Sequence, residues 1–130
     1  MKYRVEYFQP AEFICPCCHG GLAAVSLVYS LDMLRRAWAA PIRVNSGYRC
    51  EKHNREVGGV PPSRHLLGLA ADVAPMKPEL IGPFHTLVGC MFGHREGWEI
   101  KYYARFVHIA VPRGEERHLW HGGVVSLSAA

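Results

Sequence analysis

The chain has 130 residues, 49% of them hydrophobic, and carries 15 Lys and Arg against 11 Asp and Glu for a formal charge of +4. That length is one domain by the usual prior and can bury a core without disulfide staples. The basic side chains are scattered rather than massed, which argues against a nucleic-acid surface and speaks to solubility and encounter, not to reaction.

The opening Met1-Lys2-Tyr3-Arg4-Val5-Glu6-Tyr7 has charges where a secretory signal needs an apolar stretch, so no export signal is expected and the chain is cytoplasmic as synthesised. Gly20 to Leu31 is the longest apolar stretch and is too short to span a bilayer. From Leu22 to Ala39, Val25, Leu27, Val28, Leu31, Leu34 and Trp38 recur at helical spacing with Asp32, Arg35 and Arg36 on the other side, which predicts a core helix stopped by Pro41. Ile42-Arg43-Val44 reads as a short strand running into the turn-prone Asn45-Ser46-Gly47. A short polar helix is expected over Glu51 to Val57, then a loop through Gly58-Gly59-Val60-Pro61-Pro62-Ser63. Gly68 to Val73 reads as a buried strand, Pro78 to about Met91 as a second helix with Cys90 in the core, and Trp98 to Tyr102 with Phe106 to Val111 as a hairpin. Gly114 to Ala130 has little periodicity and is expected to wrap the surface or fray. The class is α+β, a small mainly antiparallel sheet flanked by helices, in one domain with its core over about 7–111 and a tail over 112–130.

Ser63-Arg64-His65-Leu66-Leu67-Gly68-Leu69-Ala70-Ala71-Asp72 puts an imidazole on a loop and a carboxylate seven residues later near a strand end, with Gly68 permitting a tight reversal. Zinc takes imidazole nitrogen and carboxylate oxygen, and catalytic sites use three protein ligands with a fourth position open. His108 is the best third ligand, because Phe106, His108 and Ala110 share one strand face while Val107, Ile109 and Val111 supply the buried one. The alternative from spacing alone is a loop hydrogen bond for His65, a cap for Asp72 and a half-buried strand histidine at 108.

Ser46-Gly47-Tyr48-Arg49, His53-Asn54, Gly58-Gly59, Ser63-x-His65, Gly68-x-Ala70-x-Asp72 and Phe106-Val107-His108 stand in an order that resembles the M15 peptidases, the D-alanyl-D-alanine carboxypeptidase-like group, which is similar in its zinc core to hedgehog domains. The resemblance runs from about Tyr7 to Val111 and implies Zn2+ held by His65, Asp72 and His108. It implies a monomeric peptidase acting on peptidoglycan stem peptides, of phage or prophage type, released to the cell wall by lysis or carried on a virion. It further implies that Arg49 grips substrate, as a guanidinium can hold a carboxylate through two parallel hydrogen bonds, and that Ser63 offers a hydroxyl to it; a loop salt bridge for Arg49 and a local turn bond for Ser63 are the alternatives. Members of the family carry an acid three positions before the last histidine or an aspartate two after it, and here those positions are Arg105 and Ala110. Glu99, on the partner strand of the hairpin, is the candidate catalytic carboxylate, with Glu96 beside it; solvated surface carboxylates are the alternative. His118 and His121 are tail histidines that could fold back as proton carriers. A zinc-retaining wall-binding or virion structural module is the reading from a different class.

Cys15-Pro16-Cys17-Cys18-His19 packs three thiols and an imidazole into five residues, and Cys50 directly follows Arg49. Five cysteines cannot all pair within one chain. A second zinc on Cys15, Cys17, Cys18 and Cys50, simple buried thiols, or a Cys15 to Cys50 disulfide are all open. The resemblance implies that Glu12-Phe13-Ile14-Cys15 packs beside the Cys50 loop.

Overall fold

The apolar periodicity of the first helix becomes α1, Val25–Trp38, in a computed structural model that describes residues 1–127. Leu27, Val28, Leu31 and Leu34 are fully buried, and each such side chain contributes roughly 1.5–3 kcal/mol by leaving water. The helix ends as Ala39 takes a left-handed conformation (φ 61°) and returns its N–H to the Arg35 carbonyl, two residues ahead of Pro41.

Asp32 departs from its expected place on the solvent side of this helix, being 0% exposed. The amino-terminal segment crosses the helix there: the Tyr3 hydroxyl donates to Asp32 Oδ2 at 2.5 Å, and the Glu6 and Tyr7 amides donate to the same carboxylate at 3.3 and 2.9 Å. Helical spacing cannot show that another segment will cover a polar face. Burial, reinforced by the bond to Asp32, pushes the Tyr3 phenol up from 10.0 to about 12. A phenol raised on folding lends stability that is fully present below the unfolded value and lost as pH climbs through the folded one. Urea unfolding followed from pH 9 to 12 should therefore show stability falling above about pH 10 in the native chain, with that slope reduced in Tyr3→Phe. At neutral pH the same substitution should cost about 1–2 kcal/mol, the worth of one hydrogen bond to a charged acceptor. An unchanged alkaline slope in the variant would show that Tyr3 is not its source.

Four strands, β2 (Ile42–Ser46), β3 (Ala70–Pro75), β4 (Glu99–Tyr102) and β5 (Val107–Ala110), form an antiparallel sheet in the order β2-β3-β5-β4. β3 is central and buried along its whole length. It starts two residues after Gly68 because that glycine (φ 74°) closes the preceding turn in a left-handed conformation. A short helix α2, Glu51–Glu56, follows β2, and α3, Ile81–Phe92, continues from a 3-10 turn at Pro78–Leu80. α3 turns Phe84, Val88 and Phe92 inward at four-residue spacing. Cys90 falls off that stripe and is exposed, so its expected place in the core is corrected.

The tail expectation is also corrected among the described residues. Trp120 is 2% exposed and packs edge-on against Phe13, while Val125 joins the same core from a strand at Val124–Ser126. That strand, β6, pairs antiparallel with β1, Lys2–Arg4, so both lie outside the expected core of 7–111. Trp120 further donates its amide to the Ala23 carbonyl, and the His118 carbonyl accepts from Val25, which ties the tail to the start of α1. Residues 128–130, the last of the expected tail, lie outside the described residues. No helix among the described residues is long and apolar enough to cross a membrane.

Candidate metal centre

The β3 and β5 registers set Asp72 directly opposite His108. Val107 and Ile109 point into the core, so strand alternation sends His108 to the opposite face, beside Asp72. His65 comes from the one-turn 3-10 helix Arg64–Leu67, whose amino end is capped by Ser63 Oγ accepting from the His65 amide at 3.2 Å. The reversal that brings His65 back to Asp72 depends on glycine at 68. A Cβ there would stand 2.1 Å from the Leu22 carbonyl oxygen.

Two hydrogen bonds decide which ring nitrogens face the centre. His65 Nδ1 lies 2.7 Å from the Gly47 carbonyl, which can only accept, so Nδ1 carries the proton and Nε2 keeps its lone pair. His108 Nε2 lies 2.7 Å from Glu99 Oε1. Partial burial works to raise the Glu99 carboxyl, but the bond to His108 outweighs it and holds the group below its usual range. Glu99 is therefore ionised, His108 Nε2 donates to it, and His108 Nδ1 keeps its lone pair.

Those two lone-pair nitrogens meet one oxygen. His65 Nε2 is 3.2 Å and His108 Nδ1 3.1 Å from Asp72 Oδ1, and the two imidazole ring centres are 5.1 Å apart. Burial pushes the Asp72 carboxyl up, yet in the metal-free chain the N–H groups that the His108 and His65 imidazoles donate to it hold it well below the usual carboxylate range. Three electron-pair donors facing one another repel unless a cation sits among them, either as protons on the imidazoles or as one metal ion. His65, Asp72 and His108 offer ligand atoms that all lie within 4.8 Å of one another, and this N, N, O donor set is one that divalent zinc accepts.

The second oxygen of Asp72 accepts from Arg49 Nη2 at 3.0 Å, in a pair whose side chains are both largely buried. Arg49 also donates through Nε to Ser46 Oγ at 3.0 Å and through Nη1 to Asn54 Oδ1 at 3.3 Å. Asn54 is buried and donates through its own Nδ2 to the Val60 carbonyl at 2.8 Å. A Cβ at Gly59 would come within 2.1 Å of Asn54 Oδ1, so the second glycine of Gly58-Gly59 is the one this contact requires. Arg49, Gly59 and Val60 border a cleft of about 360 Å³ whose walls include Ser63, His65, Asp72, Glu99, Lys101 and His108.

The fold brings together His65, Asp72, His108, Arg49 and Glu99, with Ser63 on the rim as a turn cap. Arg105 lies exposed in the turn between β4 and β5, and Glu96 lies exposed ahead of β4. Two participants went unforeseen. The Gly47 carbonyl belongs to the backbone and leaves no side-chain signal. Lys101 stands across from His108 in the β4–β5 register and borders the cleft, a placement legible only once the hairpin register is known.

The cysteines gather elsewhere. Cys15, Cys18 and Cys50 offer sulfurs within 4.8 Å of one another, with Cys15 and Cys50 Sγ 3.7 Å apart, and all five cysteines are free thiols. Tyr48 donates its amide to the Phe13 carbonyl at 2.8 Å, so the Glu12–Cys15 turn does pack on the Cys50 loop. His118 and His121 are exposed, and the bonds their tail makes run to α1 and the core.

A family model described as Peptidase M15 matches residues 6–110, most of the chain. No curated protein matches it.

Proposed function

Because this chain belongs to the peptidase M15 family, we propose that it is a zinc-dependent hydrolase cutting a peptide or amide bond in peptidoglycan stem peptides, with His65, Asp72 and His108 as the metal ligands. The observation that carries the reading is the convergence of His65 Nε2 and His108 Nδ1 on Asp72 Oδ1, with each ring's other nitrogen already committed. A metal-ligating histidine that donates its remote N–H to a carbonyl or carboxylate has its tautomer and ring orientation set in advance. Zinc bound here would supply Lewis-acid polarisation of a carbonyl and make water a better nucleophile near neutral pH.

The chain's own residues then divide the remaining work. Arg49 has five N–H donors and commits three of them to Ser46, Asn54 and Asp72, leaving two for a substrate carboxylate. Lys101 adds a second positive charge on the cleft wall. Ser63 caps the His65 turn through its lone pair and keeps its hydroxyl proton to donate.

The proton acceptor is Glu99. It pairs across the strands with Ala110, the position at which other family members carry their aspartate, and it is the one carboxylate besides Asp72 among the residues that line the cleft. Directly opposed residues hold their Cβ atoms about 5 Å apart, so a glutamate at 99 can bring its carboxylate to the neighbourhood that an aspartate at 110 would serve. Its bond to His108 keeps it there.

A zinc-loaded preparation incubated with muropeptides should release D-alanine or a cut stem fragment. Arg49→Ala should lower kcat/KM by roughly 10²-fold at saturating zinc, in line with losing a charge-assisted contact worth about 2–3 kcal/mol, and should weaken zinc affinity by about 10–100-fold because Asp72 Oδ2 loses its partner. Muropeptide affinity without release at any pH would overturn the peptidase reading. It would leave the second one, favoured by Arg105 and Ala110, of a zinc-retaining wall-binding or virion module. Delivery to the wall by phage lysis or on a virion belongs to the same proposal.

A further inference from the structure

The thiols gathered below the Arg49 loop serve no step of the proposed hydrolysis, yet they are arranged as a site. Cys15 follows the 3-10 turn Pro10–Phe13 and is fully buried. Its amide donates to the Gly20 carbonyl at 2.9 Å, and its carbonyl accepts from the His19 amide at 2.8 Å. Residues 15–20 thus form a closed loop, with His19 in the left-handed region (φ 58°) to turn the chain. The loop returns Cys18 toward Cys15. Cys50 arrives from a distant part of the sequence as the cap of α2, its sulfur accepting from the His53 amide at 3.4 Å.

The sulfur spacing fits a metal and is too long for a disulfide. A tetrahedral zinc with Zn–S near 2.3 Å spaces its sulfurs about 3.8 Å apart, and Cys15 and Cys50 Sγ stand 3.7 Å apart. A disulfide needs about 2.05 Å. Simple burial explains Cys15, but Cys18 is exposed and still gathers with Cys15 and Cys50. Cys17 stands in the same loop, between Cys15 and Cys18. Cys15 and Cys18 have the two-residue spacing common to structural zinc loops.

We propose that Cys15, Cys18 and Cys50 hold a second zinc ion, with Cys17 of the same loop turning in as the fourth thiolate, in a closed site that is structural rather than catalytic. Four thiolates leave no corner open to water, and the site joins the 15–18 loop to the backbone at Cys50, one residue from Arg49. The Tyr48 amide is already held by the Phe13 carbonyl, so the added clamp fixes both sides of the arginine that grips Asp72. This site stands independently of the peptidase reading.

The test is cobalt substitution of the full chain purified under reducing conditions. The native chain should bind two cobalt ions, one giving an intense near-ultraviolet sulfur-to-metal charge-transfer band and one giving none. The double substitution Cys17→Ser and Cys18→Ser, at positions outside the apolar core, should lose the charge-transfer band or weaken it several-fold and still bind one ion. Asp72→Asn should keep the band, so that failure of the His65 centre and failure of this one read out separately. A native chain without the band, four thiols titrating freely in the folded protein, or a Cys15 to Cys50 disulfide found after reducing purification would each overturn the proposal.

Discussion

Asp72→Asn should abolish measurable hydrolysis, a loss of at least about 10³-fold, and should take the zinc content of the His65 centre to near zero. The substitution preserves shape, so the effect is one of charge. Oδ1 of Asp72 is the atom on which both imidazoles converge, and Oδ2 is the partner of Arg49. A neutral amide removes the one negative charge among the three ligands and leaves a largely buried guanidinium facing a dipole instead of an anion. Removing one partner of a buried pair costs about 3–5 kcal/mol when nothing replaces it. Asparagine still offers one acceptor, so about 2 kcal/mol is expected for the metal-free chain. Urea unfolding with chelator present would measure that cost apart from zinc. The acid limb gives a second readout. The native carboxyl is held below its ordinary 3.8, so its contribution is fully present above that value and is lost as pH falls through the lower folded one. The Asn variant should lack this component. If it retained both zinc and activity, the ligand assignment would be wrong.

Glu99→Gln should lower kcat by roughly 10²–10⁴-fold, the range for loss of a general base, while zinc stays bound. Glutamine can still accept from His108 Nε2, so the ring orientation survives and the proton acceptor alone is lost. A positioning role without proton transfer predicts something different: near-normal kcat in Glu99→Gln and reduced zinc affinity in Glu99→Ala, by about 10–100-fold. The register supplies a sharper discriminator. Ala110→Asp, introduced into Glu99→Ala, returns a carboxylate to the opposing strand position and should restore part of the lost rate. Absence of any rescue, with zinc retained, would remove Glu99 as the acceptor.

Periodic and backbone-encoded features were the legible part of this fold. α1 declared itself through apolar spacing, and Pro41 and Gly68 marked where chain direction changes, because their backbone limits are local properties. Strand alternation put His108 on the site-facing side of its strand, and the set of His65, Asp72 and His108 followed from the order of motifs that resembles the M15 peptidases. What stayed hidden depends on distant segments meeting. Asp32 reads as a solvent-facing helix residue until the amino-terminal strand covers it, and Trp120 reads as tail until Phe13 and Ala23 receive it. Glu99 could be suggested but not placed, since a slip of one residue in the β4–β5 pairing would send its side chain to the other face. The same limit hid Lys101. The Gly47 carbonyl, which sets the tautomer of His65, is a main-chain atom that no residue type announces.

The pairing of β1 with β6 also orders events during synthesis. Residues 2–4 emerge from the ribosome well before their strand partner at 124–126. Joining segments that far apart carries a large loop-closure cost, which is met only after the intervening chain has condensed. Until then Asp32 lacks the cover that places its three donors, and the first turn of α1 lacks the His118 carbonyl. The helix that leads the sequence's apolar pattern is thus completed at both of these points by residues translated long before and long after it.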